Sequence, residues 1–204
     1  MECDNMATKL KPIVSWHEDY IDTSDGKLKQ RPVSNNLWDL GIVDADNNPE
    51  LTRHTFYIWN NKKPDGSIDS YENVPDMTNC RITIKDGTFS DYIAGEMKSP
   101  LVQEQWIQAG VVLSSMNEKD LKYTPIGSEM QKGVLTQKDI QVTALGSKTG
   151  NGVSVGGISG KMNDGKYETD SSKNNYAKIK LQMKVPAHAD AQDNKFIVRI
   201  YYNV

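Results

Sequence analysis

Few side chains in this 204-residue chain are of the types that carry chemistry, and their spacing limits what they can do. The histidines are His17, His54 and His188. Acid–base catalysis or zinc binding needs at least two such groups converging with carboxylates or thiolates. No H-x-x-x-H spacing occurs, and the two cysteines, Cys3 and Cys80, form no C-x-x-C. Solvated or hydrogen-bonded histidines are the expectation, and Cys80, alternating with Ile82 and Ile84, reads as a small buried hydrophobe. Asp44-x-Asp46-x-Asn48 opens like a calcium loop. Pro49 then stands where an EF-hand turn needs glycine, and Thr55 where the bidentate glutamate belongs. Those residues read as a turn. Gly150-Asn151-Gly152 and Gly156-Gly157-Ile158-Ser159-Gly160 lack the strand-to-helix setting and the following Lys-Ser/Thr pair of a phosphate-binding loop. The sequence therefore assigns no catalytic residue, no cofactor and no metal ligand, and the expected class is not an enzyme.

Aromatic residues remain. Trp38, Trp59, Trp106, Tyr57, Tyr201 and Tyr202 could form a platform on which sugar rings stack, or they could fill a core and contact a neighbouring layer. Trp16 stands in a polar stretch, as amphipathic anchors at interfaces do. Trp16, Tyr57, Trp59 and Tyr201 are the candidate interaction surface.

The elements that must position these residues are strands. In 52–61, Phe56 and Ile58 alternate with Tyr57 and Trp59, so both faces of an extended chain are apolar. Tyr57 and Trp59 need a cover, supplied by this chain's own N-terminal segment, by a second sheet or by a partner. Residues 79–87 alternate likewise and read as a neighbouring strand. Residues 105–113 suit a central strand, and 139–145 alternate again. In 177–185 every odd position is small or apolar and every even one is Lys or Gln, which marks a strand with one wet face. Residues 196–202 read as its returning hairpin partner, with Phe196, Val198, Ile200 and Tyr202 on one face. A first strand is expected at 37–43, one helical turn at 116–121, and long loops at 62–78 and 146–165. The expected architecture is all-β, an Ig-like antiparallel β-sandwich over 35–204 with a loop-rich insertion at about 114–175. Residues 1–34 read as an extended N-terminal arm, with a short strand at 13–16 and a turn at 22–26.

Composition narrows the partners. Hydrophobic residues make up 37%, which implies a thin core with much surface. A net charge of −3 argues against a basic nucleic-acid-binding face. No apolar run reaches the roughly 20 residues of a membrane span. The first residues lack the basic and apolar regions of a signal peptide. The expected site of synthesis is the cytoplasm.

The order of the motifs resembles small virion proteins of tailed bacteriophages built on an Ig-like sandwich. The shared pattern is Leu40-Gly41, then Ile58-Trp59-Asn60-Asn61, then Asn79-Cys80-x-Ile82-Thr83-x-Lys85-Asp86, then Trp106-Ile107. The stretch from Leu181 to Ala189, leading to Phe196–Tyr202, closes it. The likeness covers about 37–113 and 176–204. It implies a structural part of a phage particle, located in the virion, whose partners are other virion proteins and copies of itself. It carries over no catalytic residue. The alternative is a carbohydrate-binding module that aids adsorption to a host surface.

Overall fold

The computed structural model describes residues 11–33, 53–62, 72–86, 99–131, 134–147, 156–187, 189 and 196–204. The expected strand at 37–43, the Asp44–Asn48 turn, His188, Trp38 and Cys3 lie outside these residues. About half of the described residues are strand, with almost no helix, and the sheets are antiparallel. No described helix is long and apolar enough to cross a membrane.

The larger sheet has six strands. They are β1 (Val14–Ile21), β2 (Leu28–Pro32), β3 (Arg53–Asn60), β5 (Ile107–Val112), β6 (Thr124–Pro125) and β10 (Tyr176–Met183). Their order is β2-β1-β3-β10-β5-β6. Between them in the chain come β4 (Thr78–Asp86), β7 (Gly127–Gln131), β8 (Val134–Lys138) and β9 (Ile140–Gln141), and β11 (Phe196–Asn203) ends the series. The smaller sheet runs β11-β4-β9, while β7 and β8 form a separate hairpin. A helical turn, Pro100–Gln103, buries Leu101 and Val102 under the same core.

Alternation explains this layering. From β4, Cys80, Ile82 and Ile84 meet Phe56 and Ile58 of β3, Ile107 and Ala109 of β5, and Ala177, Ile179 and Leu181 of β10 in one cluster. Each fully buried isoleucine or leucine contributes about 1.5–3 kcal/mol. In β10 the odd residues are buried while Lys178, Lys180 and Gln182 stand half-exposed on the other face, as their spacing requires.

Several expectations need correction. Residues 14–32 are not an arm lying over the domain but the edge hairpin of the larger sheet, with His17 opposite Tyr57 across β1 and β3. The turn expected at 22–26 is present, and Asp22 bonds the main-chain N–H of Ser24. Strands β3 and β4 belong to different sheets and face each other across the core. Strands β10 and β11 are likewise not a hairpin: β10 pairs with β3 and β5, and β11 with β4. Apolar alternation fixes which face of a strand is buried but not which strand lies beside it. The 139–145 strand shortens to Ile140–Gln141, after which Val142 and Ala144 bond to Cys80 and Gly157.

Strand β3 ends in a polar clamp. Asn60 and Asn61 are fully buried, and Asn175 nearly so. The Asn60 amide donates to the carbonyls of Pro75 and Ile158. That of Asn61 donates to Glu72, Gly160 and Lys161. The Asn175 amide donates to Ser159 and Lys161. Two loop segments, 72–76 and 158–161, are thereby tied to the end of the central strand. The approach is close: a Cβ on Gly160 would stand 2.2 Å from the Val74 carbonyl oxygen. Asn61 takes a left-handed backbone, φ 66°, which Asn tolerates better than most residues. Replacing Asn61→Gly keeps that backbone and deletes the amide. The expected loss is about 1–3 kcal/mol of unfolding free energy in a urea melt, as for an orphaned buried hydrogen-bonding group. Faster proteolysis within 156–165 should accompany it.

Candidate functional site

The face of β3 turned away from the core is closed by this chain itself. Tyr57 and Trp59 are 4% and 0% exposed, which corrects their assignment to an open interaction surface. Neighbouring strands supply the sides of the enclosure, because the register puts His17 beside Tyr57 and Tyr176 beside Trp59. Tyr167, on the loop before β10, closes the top. Its ring lies 4.8 Å from Tyr57, 5.3 Å from Trp59 and 5.5 Å from Tyr176, each pair edge to face. Such pairs contribute roughly 0.5–1.5 kcal/mol each beyond the area they bury.

A buried cation completes the enclosure. The Lys62 ammonium sits 4.9 Å from the Trp59 ring centre and 5.7 Å from that of Tyr167, and it donates to the Gly165 carbonyl. Lys62 is 4% exposed. Burial lowers its pKa, while Asp164 acts in the opposite direction. Burial, helped by the Lys62 charge, pushes His17 down to about 4, so the imidazole is neutral at pH 7. Its Nε2 lies 3.3 Å from Ser15 Oγ. Tyr57 donates its hydroxyl to Asp19 at 3.0 Å, and burial raises its pKa. Among the described residues, the Trp59 indole N–H and the Tyr167 hydroxyl are buried without a hydrogen bond. The enclosure holds a loop down, with Lys62 and His17 4% and 2% exposed beneath it.

Beside it lies a half-open cleft of about 340 Å³. Val112, Leu145 and Met116 supply apolar lining, and Glu118, Glu168 and Lys178 charged lining. Glu118 accepts hydrogen bonds from Lys178, at 2.6 Å, and from Lys180. Both hold its carboxyl below the usual range. A carboxylate fixed between two ammonium groups is a poor proton carrier at neutral pH. Glu168 adopts a left-handed backbone, φ 63°, and donates its N–H to the Tyr176 hydroxyl.

The other candidate residues do not converge. His54 pairs with Glu18 at 3.0 Å, and Glu18 also accepts from Arg31. Burial pushes the Cys80 thiol up to about 12, which leaves it protonated. Among the described residues, no group of three or more His, Cys, Asp or Glu could hold a metal ion. Trp106 is buried and donates to Glu104 at 3.0 Å. Of the three tryptophans considered for a sugar platform, Trp59 and Trp106 thus present no free ring face, and Trp38 is outside the described residues. Trp16 packs half-buried on the chain's own core, its ring 6.3 Å from Phe56. Of the four candidate surface residues, Tyr201 on β11 is the exposed one, at 42%.

Comparison with protein-family models, with curated proteins and with solved structures finds no match for the chain.

Sequence reasoning missed Tyr167, Lys62 and the clamp asparagines. Their signal was only a lone tyrosine in a Gly- and Asn-rich stretch and a turn-forming Asn-Asn-Lys, both of which read as loop. Two outcomes are expected. Tyr167→Ala should red-shift tryptophan emission and cost about 2–4 kcal/mol, near the lower part of the range for large-to-small aromatic changes, by denaturant melt. His17 binds a proton more readily unfolded, at about 6.5, than folded, at about 4. Its stabilisation is therefore full above pH 6.5 and is lost as pH falls towards 4, on the order of 3 kcal/mol in all. His17→Gln should flatten the stability profile across that window relative to the unaltered chain.

Proposed function

We propose that the chain is a structural component of a tailed-phage virion, built as an Ig-like sandwich and acting through protein–protein contacts with other virion proteins and with its own copies. The motif order resembling such proteins supports this, together with two antiparallel sheets that enclose one core. The observation that carries it is β11. This strand is eight residues long, bears mostly apolar side chains, and pairs on one side only among the described residues. None of its residues is fully buried. An extended edge of this kind is a template for a further strand. Other apolar groups project as well: Ile21 and Leu28, 60% and 59% exposed, face each other across β1 and β2 at the hairpin tip. Asp22 and Asp25 hold that tip in shape through Lys29.

The covered Tyr57–Trp59 face takes no part in these contacts, so assembly runs through edges and tips. The test is whether the chain is a stoichiometric part of particles. Particles from cells carrying the gene are banded by density and their proteins counted by mass spectrometry. A fixed copy number per particle, retained after a high-salt wash, is expected. Loss of the chain from banded particles, with the protein found free in the lysate, would contradict the proposal.

A further inference from the structure

We infer that the loop before β10, residues 163–172, is an acid-released lid: a proton on His17 lifts it off the outer face of the larger sheet while the core between the sheets stays closed. The inference concerns how the chain guards its own aromatic face, and it stands apart from the assembly reading above.

The lid and the core are separate packing units. Tyr57, Trp59, Val112, Leu145 and Tyr176 cluster with Tyr167, and this cluster shares no residue with the one between the sheets. Loss of the outer cluster therefore leaves the inner one whole, which is the condition for opening in part. The lid is also braced from within. Asp164 accepts from the Lys166 N–H and the Thr169 hydroxyl, its own N–H donates to Ser171 Oγ, and the Gly165 N–H donates to Asn163. Ser172 donates to the Lys166 carbonyl. The lid can thus move as one piece about Lys161 and Asn175, where the clamp holds its two ends. Lifting breaks, among others, the bonds from Lys62 to Gly165 and from Glu168 to Tyr176. Two features favour lifting. The Trp59 indole N–H and the Tyr167 hydroxyl are buried where lid meets sheet, without hydrogen bonds, and water satisfies both in the open form. Glu168 also carries a left-handed backbone, φ 63°, uncommon outside glycine and asparagine.

The charge beneath the lid decides its position. The His17 ring centre stands 6.4 Å from that of Trp59 and 6.3 Å from that of Tyr167. The Lys62 ammonium approaches the same two rings. A proton on His17 sets a second cation in this enclosure beside the first. The carboxylates nearby are engaged elsewhere. On β1, Asp19 shares the His17 face but accepts from Tyr57 and Gln30. Strand β2 sets Pro32 opposite His17, and β3 contributes Tyr57 and Trp59. From β10 come Tyr176 and Lys178, the latter paired with Glu118. On the lid, Tyr167 meets the imidazole, and Asp164 acts on Lys62. Two like charges held out of water are costly, and lifting the cover hydrates both.

Under the closed lid His17 binds a proton only near pH 4, against 6.5 ordinarily, the value it regains when open. The closed form therefore keeps its full advantage above pH 6.5 and loses it as pH falls towards 4. Across that window the open fraction rises roughly a hundredfold. The test is solvent exchange of the Trp59 indole N–H in the full chain, each rate divided by that of free indole at the same pH. The Val142 N–H, bonded to the Cys80 carbonyl, reports on the core. In low urea the Trp59 rate should stay flat while the Val142 rate climbs, because partial opening exposes little surface. From neutral pH to about pH 4 the corrected Trp59 rate should rise roughly a hundredfold. The His17 ring protons should titrate near pH 4 in the same samples. These readings need only the unaltered chain; in His17→Gln the acid rise should vanish. A Trp59 rate that climbs with urea as steeply as that of Val142 overturns the inference, because the cover then opens only by global unfolding. So does a His17 that titrates near 6.5 in the folded chain, or an acid rise that persists in His17→Gln. Presence in particles is measured separately, so either reading can fail without the other.

Discussion

The loop segments beside the end of the larger sheet are anchored by three buried side-chain amides, Asn60 and Asn61 at the end of β3 and Asn175 at the start of β10. Asn60, Asn61 and Asn175 donate to seven carbonyl contacts on the 72–76 and 158–161 segments. Loop backbone brought into a buried site must have its polar groups satisfied, or each costs about 1–3 kcal/mol. Asparagine suits the task because its amide carries two donors on a short side chain. Beyond the anchored segment, the same loop carries Tyr167 over Tyr57 and Trp59.

That arrangement replaces a partner with a piece of the same chain. A central strand with aromatic residues on both faces needs two covers, and β3 has them: the smaller sheet on one side, the Tyr167 loop on the other. Closing the second cover costs something. Lys62 is desolvated, His17 is held neutral, and the Trp59 N–H and Tyr167 hydroxyl go without partners. The offsetting gains are edge-to-face ring contacts, an ammonium over two rings, and the carbonyl of Gly165. The consequence for function is a matter of placement. On the proposed reading, contacts with other molecules lie away from this covered aromatic face.

What the sequence made legible follows from periodicity. The strands at 53–60, 78–86, 107–112, 176–183 and 196–203 were readable because alternation reports which residues share a face. The burial of Cys80, Ile82 and Ile84 was readable for the same reason. Strand neighbours were not: the short spacing between β10 and β11 suggested a hairpin, yet each strand pairs within its own sheet. The 14–32 strands were not legible because β1, between β2 and β3, carries charged residues such as Glu18, which pairs with Arg31 and His54. Loop residues that fold back, such as Tyr167 and Lys62, leave no periodic trace at all.

The central claim is that this chain covers its own aromatic face. Its most direct test is nuclear magnetic resonance on the isolated chain, dilute enough to be monomeric, following the Trp59 indole N–H. Slow exchange of that proton with solvent, and nuclear Overhauser contacts between the Trp59 and Tyr167 rings, are the predicted result. Fast exchange in the monomer, with protection appearing only on association, would contradict the account.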